Sequence, residues 1–110
     1  MTYKIDYYES EGDNYRYLLG TKGERTLIAI GVNPNTATDK IPDNTISKII
    51  GFSTRNVYDS FIALNLYPQR TESPKELDKQ ESPNQIQKNL DKIESIIPKL
   101  KKYDIVCAWG

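Results

Sequence analysis

Two short stretches of this sequence concentrate residues able to hold a ligand. Gly31-Val32-Asn33-Pro34-Asn35-Thr36 follows one apolar run, and Asn65 lies inside a second, with Arg70 five positions further on. Gly31 allows backbone to approach a bound group, Pro34 stiffens the turn, and Asn33, Asn35 and Thr36 supply donors and acceptors. An amide within an apolar run needs hydrogen-bonding partners, and at a strand end it suits a ligand edge that pairs a donor with an acceptor. The same residues also serve plain structure. Asn-Pro and Asn-Thr are turn chemistry, Asn65 can bond a neighbouring loop, and Arg70 can pair with Glu72 or Glu76. Two such polar strand ends in one chain favour a ligand site.

What is missing narrows the chemistry. The chain has no histidine and a single cysteine, Cys107. It therefore lacks the usual neutral-pH base, the serine-histidine pair and the commonest metal ligand, so neither a zinc site nor another metal or cofactor is expected. Cys107 cannot close an internal disulfide, and its apolar neighbours Ile105, Val106 and Ala108 point to an inert core position. Basic and acidic residues balance at 15 each, leaving no overall field to gather nucleic acid or anionic lipid. Acidic residues collect early (Asp6, Glu9, Glu11, Asp13), and lysines late (Lys88, Lys92, Lys99, Lys101, Lys102); both clusters read as solvated faces. Met1 to Tyr8 has no secretion-signal pattern and no apolar run reaches membrane-spanning length, so a cytoplasmic setting without a membrane partner is the expectation.

The elements that must position the two polar stretches follow from periodicity. Tyr3 to Tyr8 reads as a loose edge strand, Glu9 to Asn14 as a turn, and Tyr15 to Leu19 as a short strand. Gly20 to Arg25 has the composition of a hairpin connection into Thr26 to Gly31, an apolar run suited to a central strand. Asp43 or Asn44 can cap a helix carrying Ile46, Ile49 and Ile50 and ending near Asn56. Ser60 to Tyr67 reads as a second buried strand stopped by Pro68, and Thr71 to Pro83 as a surface excursion. Ile86, Leu90, Ile93, Ile97 and Leu100 mark an amphipathic helix that Pro98 should end. Asp104 to Trp109 is a third apolar strand, with Trp109 expected in the core.

Strand, helix, strand, helix, strand is the order of a parallel sheet with crossovers, and a chain of 110 residues fits a single α/β domain. A parallel strand needs cover on both faces. The sequence stops at Gly110 just after the third strand, so the domain is expected to be incomplete at its C-terminal end, with self-association through the uncovered strand.

Further pairs of residues carry a family resemblance. Ile30-Gly31-Val32-Asn33-Pro34-Asn35-Thr36-Ala37-Thr38-Asp39 resembles the I-G-L-N-P-S-T-A-D motif of domain-of-unknown-function family 1643, an uncharacterised bacterial and phage family. Tyr15-Arg16-Tyr17-Leu18-Leu19, Asp43-Asn44-Thr45-Ile46, Asn65-Leu66-Tyr67 with Arg70, and Ala108-Trp109-Gly110 match further. Asn35 stands where the family usually has serine, and Thr38 is an extra residue before Asp39.

The layout is also remotely similar to the uracil-DNA glycosylase superfamily. That likeness implies a three-layer α/β sandwich with a mostly parallel central sheet, its last strand or strands missing here. It also implies a nucleobase- or nucleic-acid-directed function, with N-glycosidic hydrolysis if the complete chain is active. Asn33 would then be catalytic, positioning the attacking water, and Asn65 would read an extruded base. Gly31, Pro34, Asn35, Thr36 and Arg70 complete the expected binding set. The superfamily's late histidine has no counterpart in this chain. The alternative is a non-catalytic nucleotide- or protein-binding module on the same scaffold.

Overall fold

The computed structural model describes residues 3–71 and 83–108. Five strands form one sheet: β1 (Tyr7–Glu11), β2 (Tyr15–Gly20), β3 (Arg25–Gly31), β4 (Ser60–Asn65) and β5 (Lys102–Cys107), in the order β1-β2-β4-β3-β5. The apolar run Phe61 to Leu64 makes β4 the middle strand, with every residue buried. Strand β3 pairs in parallel with β4 on one side and β5 on the other. Strands β1 and β2, and β2 and β4, pair antiparallel.

The sheet is therefore mixed, which corrects the expectation of a mostly parallel sheet of the glycosylase type. The physical reason lies in where β2 is seated. Gly20 to Arg25 makes no hairpin between β2 and β3, because β4 lies between them. Gly20 allows that seating: a Cβ there would lie 2.4 Å from the Phe61 carbonyl oxygen. The next residue continues the pairing, its amide donating to the same oxygen at 2.8 Å. At the edge, β1 begins at Tyr7 and runs through Glu11, so the turn shrinks to Gly12–Asn14, with Gly12 at φ +56°.

Helix α1 (Asn44–Arg55) starts where Asp43 accepts the Ile46 amide at 2.9 Å. It closes with a Schellman turn in which the Tyr58 amide donates to the Ser53 carbonyl at 3.2 Å, with Val57 in the left-handed region at φ 65°. Helix α2 (Pro83–Ile96) has proline in its first turn, where the missing amide hydrogen costs nothing, and passes into a 3-10 turn, Ile97–Lys99, around Pro98.

Alternation along β4 divides the core between the helices. Phe61 and Ala63 pack with Leu19, Ala37 and Ile46 on the α1 face. Ile62 and Leu64 pack with Leu18, Ile28 and Ile96 on the α2 face. Helix α2 is turned slightly from the expected stripe: Asn89 is buried and Leu90 exposed. The early acids and late lysines meet, Lys88 pairing with Glu11, and Lys92 with Glu9 at 3.4 Å. These pairs are exposed and add little stability each.

Strand β5 departs most from expectation. All six of its residues are exposed, Ile105 by 56%, and Cys107 is exposed and not an inert core residue. Helix α1 flanks a crevice beside this edge strand without burying it, so apolar composition here marks pairing with β3 and not burial. The expected core position of Trp109 lies outside the described residues. Among the described residues no helix is long and apolar enough to cross a membrane.

Candidate functional site

Parallel pairing of β3 with β4 places Gly31 directly beside Asn65, so the two polar stretches found in the sequence leave the sheet together. Between these strand ends and α1 lies a crevice of about 430 Å³, within the range of small-molecule pockets, roughly 300–1,000 Å³. It exists because the residues facing α1 at this end of the sheet are small: Ala29, Gly31 and Ala63. Asn33, Pro34, Asn35, Asn65, Arg16 and Thr45 bring polar groups and a stiff turn to its walls.

Asn65 is 5% exposed, yet no described residue hydrogen-bonds its side-chain amide, which lines the crevice. Its backbone is firmly fixed. The carbonyl accepts Asn89 Nδ2 at 2.8 Å, so a buried asparagine of α2 anchors the end of β4. A side chain on Gly31 would put Cβ 2.9 Å from Asn65 Oδ1, so glycine here leaves the amide its space.

The loops beyond the strands are joined as one unit. The Leu66, Tyr67 and Thr71 amides donate to the Gly31, Val32 and Pro34 carbonyls at 3.0, 2.9 and 3.0 Å. Asn33 fastens the same seam: its Nδ2 meets Thr71 Oγ1 at 2.6 Å and the Pro34 and Gln69 carbonyls each at 3.2 Å. Carbonyl oxygens around this nitrogen leave no choice of amide orientation, so Oδ1 points away from the seam.

Arg70 also serves the loop. Its guanidinium donates to the Asn35 and Ala37 carbonyls at 2.7 and 2.9 Å and to the Tyr8 hydroxyl at 2.8 Å. Its expected pairing with Glu72 or Glu76 lies outside the described residues. Ala37 is the hub of this loop, since its amide donates to Asp43 Oδ2 at 3.1 Å and its carbonyl accepts from both Arg70 and Arg16. Thr36 is exposed and Pro34 fully buried. Arg70 and Thr36 line an adjoining crevice that meets the first at Asn35 and Thr71.

Arg16 is the residue that sequence reasoning left out of the site. It is 3% exposed, reaches Ala37 with one bond of 3.3 Å, and leaves its Nε without a partner among the described residues. Burial, and next the neighbouring Arg70, lower its pKa to about 10, with Asp43 partly opposing. It remains charged at neutral pH. A β-bulge aims it: Glu9 pairs with Leu18 and Ser10 with Arg16, so Tyr17 is the extra residue of β2. Leu18 packs on the α2 face, and strict alternation would send Arg16 there too; the bulge turns it to the α1 face.

Another crevice of comparable size lies between the N-terminal segment and α1, but most of its hydroxyls are already hydrogen-bonded. Ser53 and Thr54 bond helix carbonyls, Ser60 bonds Thr26, and Tyr58 bonds Asp104. Among the described residues no three histidine, cysteine, aspartate or glutamate side chains cluster as metal ligands would.

The profile of the family described as protein of unknown function (DUF1643) matches residues 16–110, and the chain belongs to that family. No curated protein and no solved structure matches it.

Proposed function

Because family membership here brings no activity with it, we propose from the crevice itself that the chain binds a nucleobase-bearing ligand at the ends of β3 and β4. One observation carries this reading: Asn65, a residue 5% exposed, lines the crevice with a primary amide that has no hydrogen-bond partner among the described residues. Buried polar groups are otherwise nearly always paired, and an amide supplies the adjacent donor and acceptor that complement a base edge. Gly31 keeps that amide accessible.

Calorimetric titration with the four ribonucleosides tests the proposal. At least one base should bind measurably, and Asn65→Ala should weaken it about tenfold or more, the usual cost of losing a paired polar contact. Gly31→Ala, which crowds Oδ1, should weaken it in the same direction with little loss of stability. Binding that is indifferent to both substitutions would remove the base-reading role.

A second reading, hydrolysis of an N-glycosidic bond, is favoured by the geometry of Asn33. Its Nδ2 is held by the loop, so Oδ1 has a fixed direction in which to orient a water. Release of free base from a nucleoside or oligonucleotide, lost in Asn33→Ala while binding persists, is the expected signature. Absence of release at any pH confines the chain to binding.

A further inference from the structure

Arg16 is a buried cation that forms no ion pair among the described residues. It and Arg70 share the Ala37 carbonyl, and neither has a carboxylate within ion-pairing distance among those residues. Asp43 lines the same crevice, and its two oxygens are taken by the Ala37 and Ile46 amides. Asp43 lines the Arg16 crevice and Asp13 the adjoining one beside Arg70, so what sets Arg16 apart is a buried Nε that has no partner among the described residues. Arg16 is buried by 97% of its surface, lines the same crevice as Asn65, and is brought there by a bulge that departs from the regular strand.

A buried cation without a partner is costly, and structures that retain one normally supply an anion. Thr45, on the same crevice wall, adds a neutral hydroxyl. We propose that the Arg16 corner is a phosphate subsite, so that the ligand read by Asn65 is a nucleoside phosphate and not a free base or nucleoside. The inference rests on the base-binding reading for the second half of that statement only. Phosphate is the class favoured because a guanidinium offers parallel donors to its oxygens, and because Arg16 and the Asn65 amide line one continuous crevice.

The test uses the whole chain and three sets of probes: ribonucleosides, their 5′-monophosphates and inorganic phosphate. Monophosphates should bind at least about tenfold tighter than nucleosides, inorganic phosphate should compete with them, and Arg16→Met should reduce monophosphate affinity to the nucleoside level. Equal affinity of nucleoside and monophosphate in the unmodified protein overturns the subsite while leaving base binding intact. If nucleosides fail to bind but phosphate and monophosphates do so through Arg16, the subsite stands and the base reading falls. No binding of phosphate or monophosphate overturns it whatever the nucleosides do. Should the variant not fold, the Arg16 Nε resonance of the unmodified protein decides: a shift with added phosphate supports the subsite, and an unmoved signal refutes it.

Discussion

If Arg16 is held for a ligand and not for the fold, removing its charge should make the free protein more stable. Its pKa is lowered well below the usual guanidinium range to about 10, chiefly by burial and then by Arg70. At roughly 1.4 kcal/mol per unit, keeping the charge in place costs on the order of 3 kcal/mol. Arg16→Met retains the length and most of the packing, and it gives up one 3.3 Å bond to the Ala37 carbonyl, worth at most about 1 kcal/mol. That carbonyl is not orphaned, since Arg70 still donates to it at 2.9 Å. The expected net gain is about 2 kcal/mol, or a rise in Tm on the order of 10 °C for a domain of this size. Urea unfolding at pH 7 with an unchanged m-value would measure it. The pH dependence has a definite sign. For a cation with a lowered folded pKa, the penalty is present in full below that value and is relieved as pH climbs from about 10 towards the unfolded value. The advantage of the variant should therefore shrink above pH 10. A variant less stable than the parent at pH 7 would refute the reasoning and make Arg16 a loop anchor.

Asn33→Ala should cost about 1–2 kcal/mol and speed hydrogen exchange at the Thr71 amide, because the loop seam loses its side-chain fastening. Asn33→Asp should cost more, since it sets a carboxylate against the Gln69 and Pro34 carbonyls; equal costs would mean that the seam does not depend on that donor. Val57 closes α1 at φ 65° with its side chain in solvent. Val57→Gly should therefore raise stability by about 1 kcal/mol in thermal unfolding, whereas a loss would show that the valine is not strained there.

The parts of the site that were legible in the sequence are those fixed by neighbours in the chain. Gly31 and Asn65 end two apolar runs, and runs of that kind pair as buried strands, so their meeting followed from composition. Asp43 was legible as a cap for the same local reason. Asn89 was not, because Leu90 satisfied the helical spacing equally well. The choice between the two depends on the Asn65 carbonyl, a partner 24 residues away. Strand β5 misled through composition: its apolar residues look buried in sequence, while no described helix covers them. Arg16 stayed hidden behind the bulge. Read at a regular period of two, it shares a face with Leu18, and no residue type near Tyr17 announces the extra position.

The mistaken sheet and the missed arginine have one cause. An antiparallel β2 beside β4 runs its first residues towards the end of β4, as the Leu19–Ala63 and Gly20–Ile62 pairs require. Arg16, at the start of β2, thus arrives at the level of Asn65, and the bulge then turns it onto the crevice face. Had β2 joined β3 by a hairpin, Arg16 would have been separated from Asn65 by the width of β3. Had it paired with β4 in parallel, its start would lie at the opposite end of the sheet. The crevice that the Asn65 amide and the Arg16 guanidinium both line is therefore a product of the mixed topology, and any ligand that uses both must fit the chemistry of both.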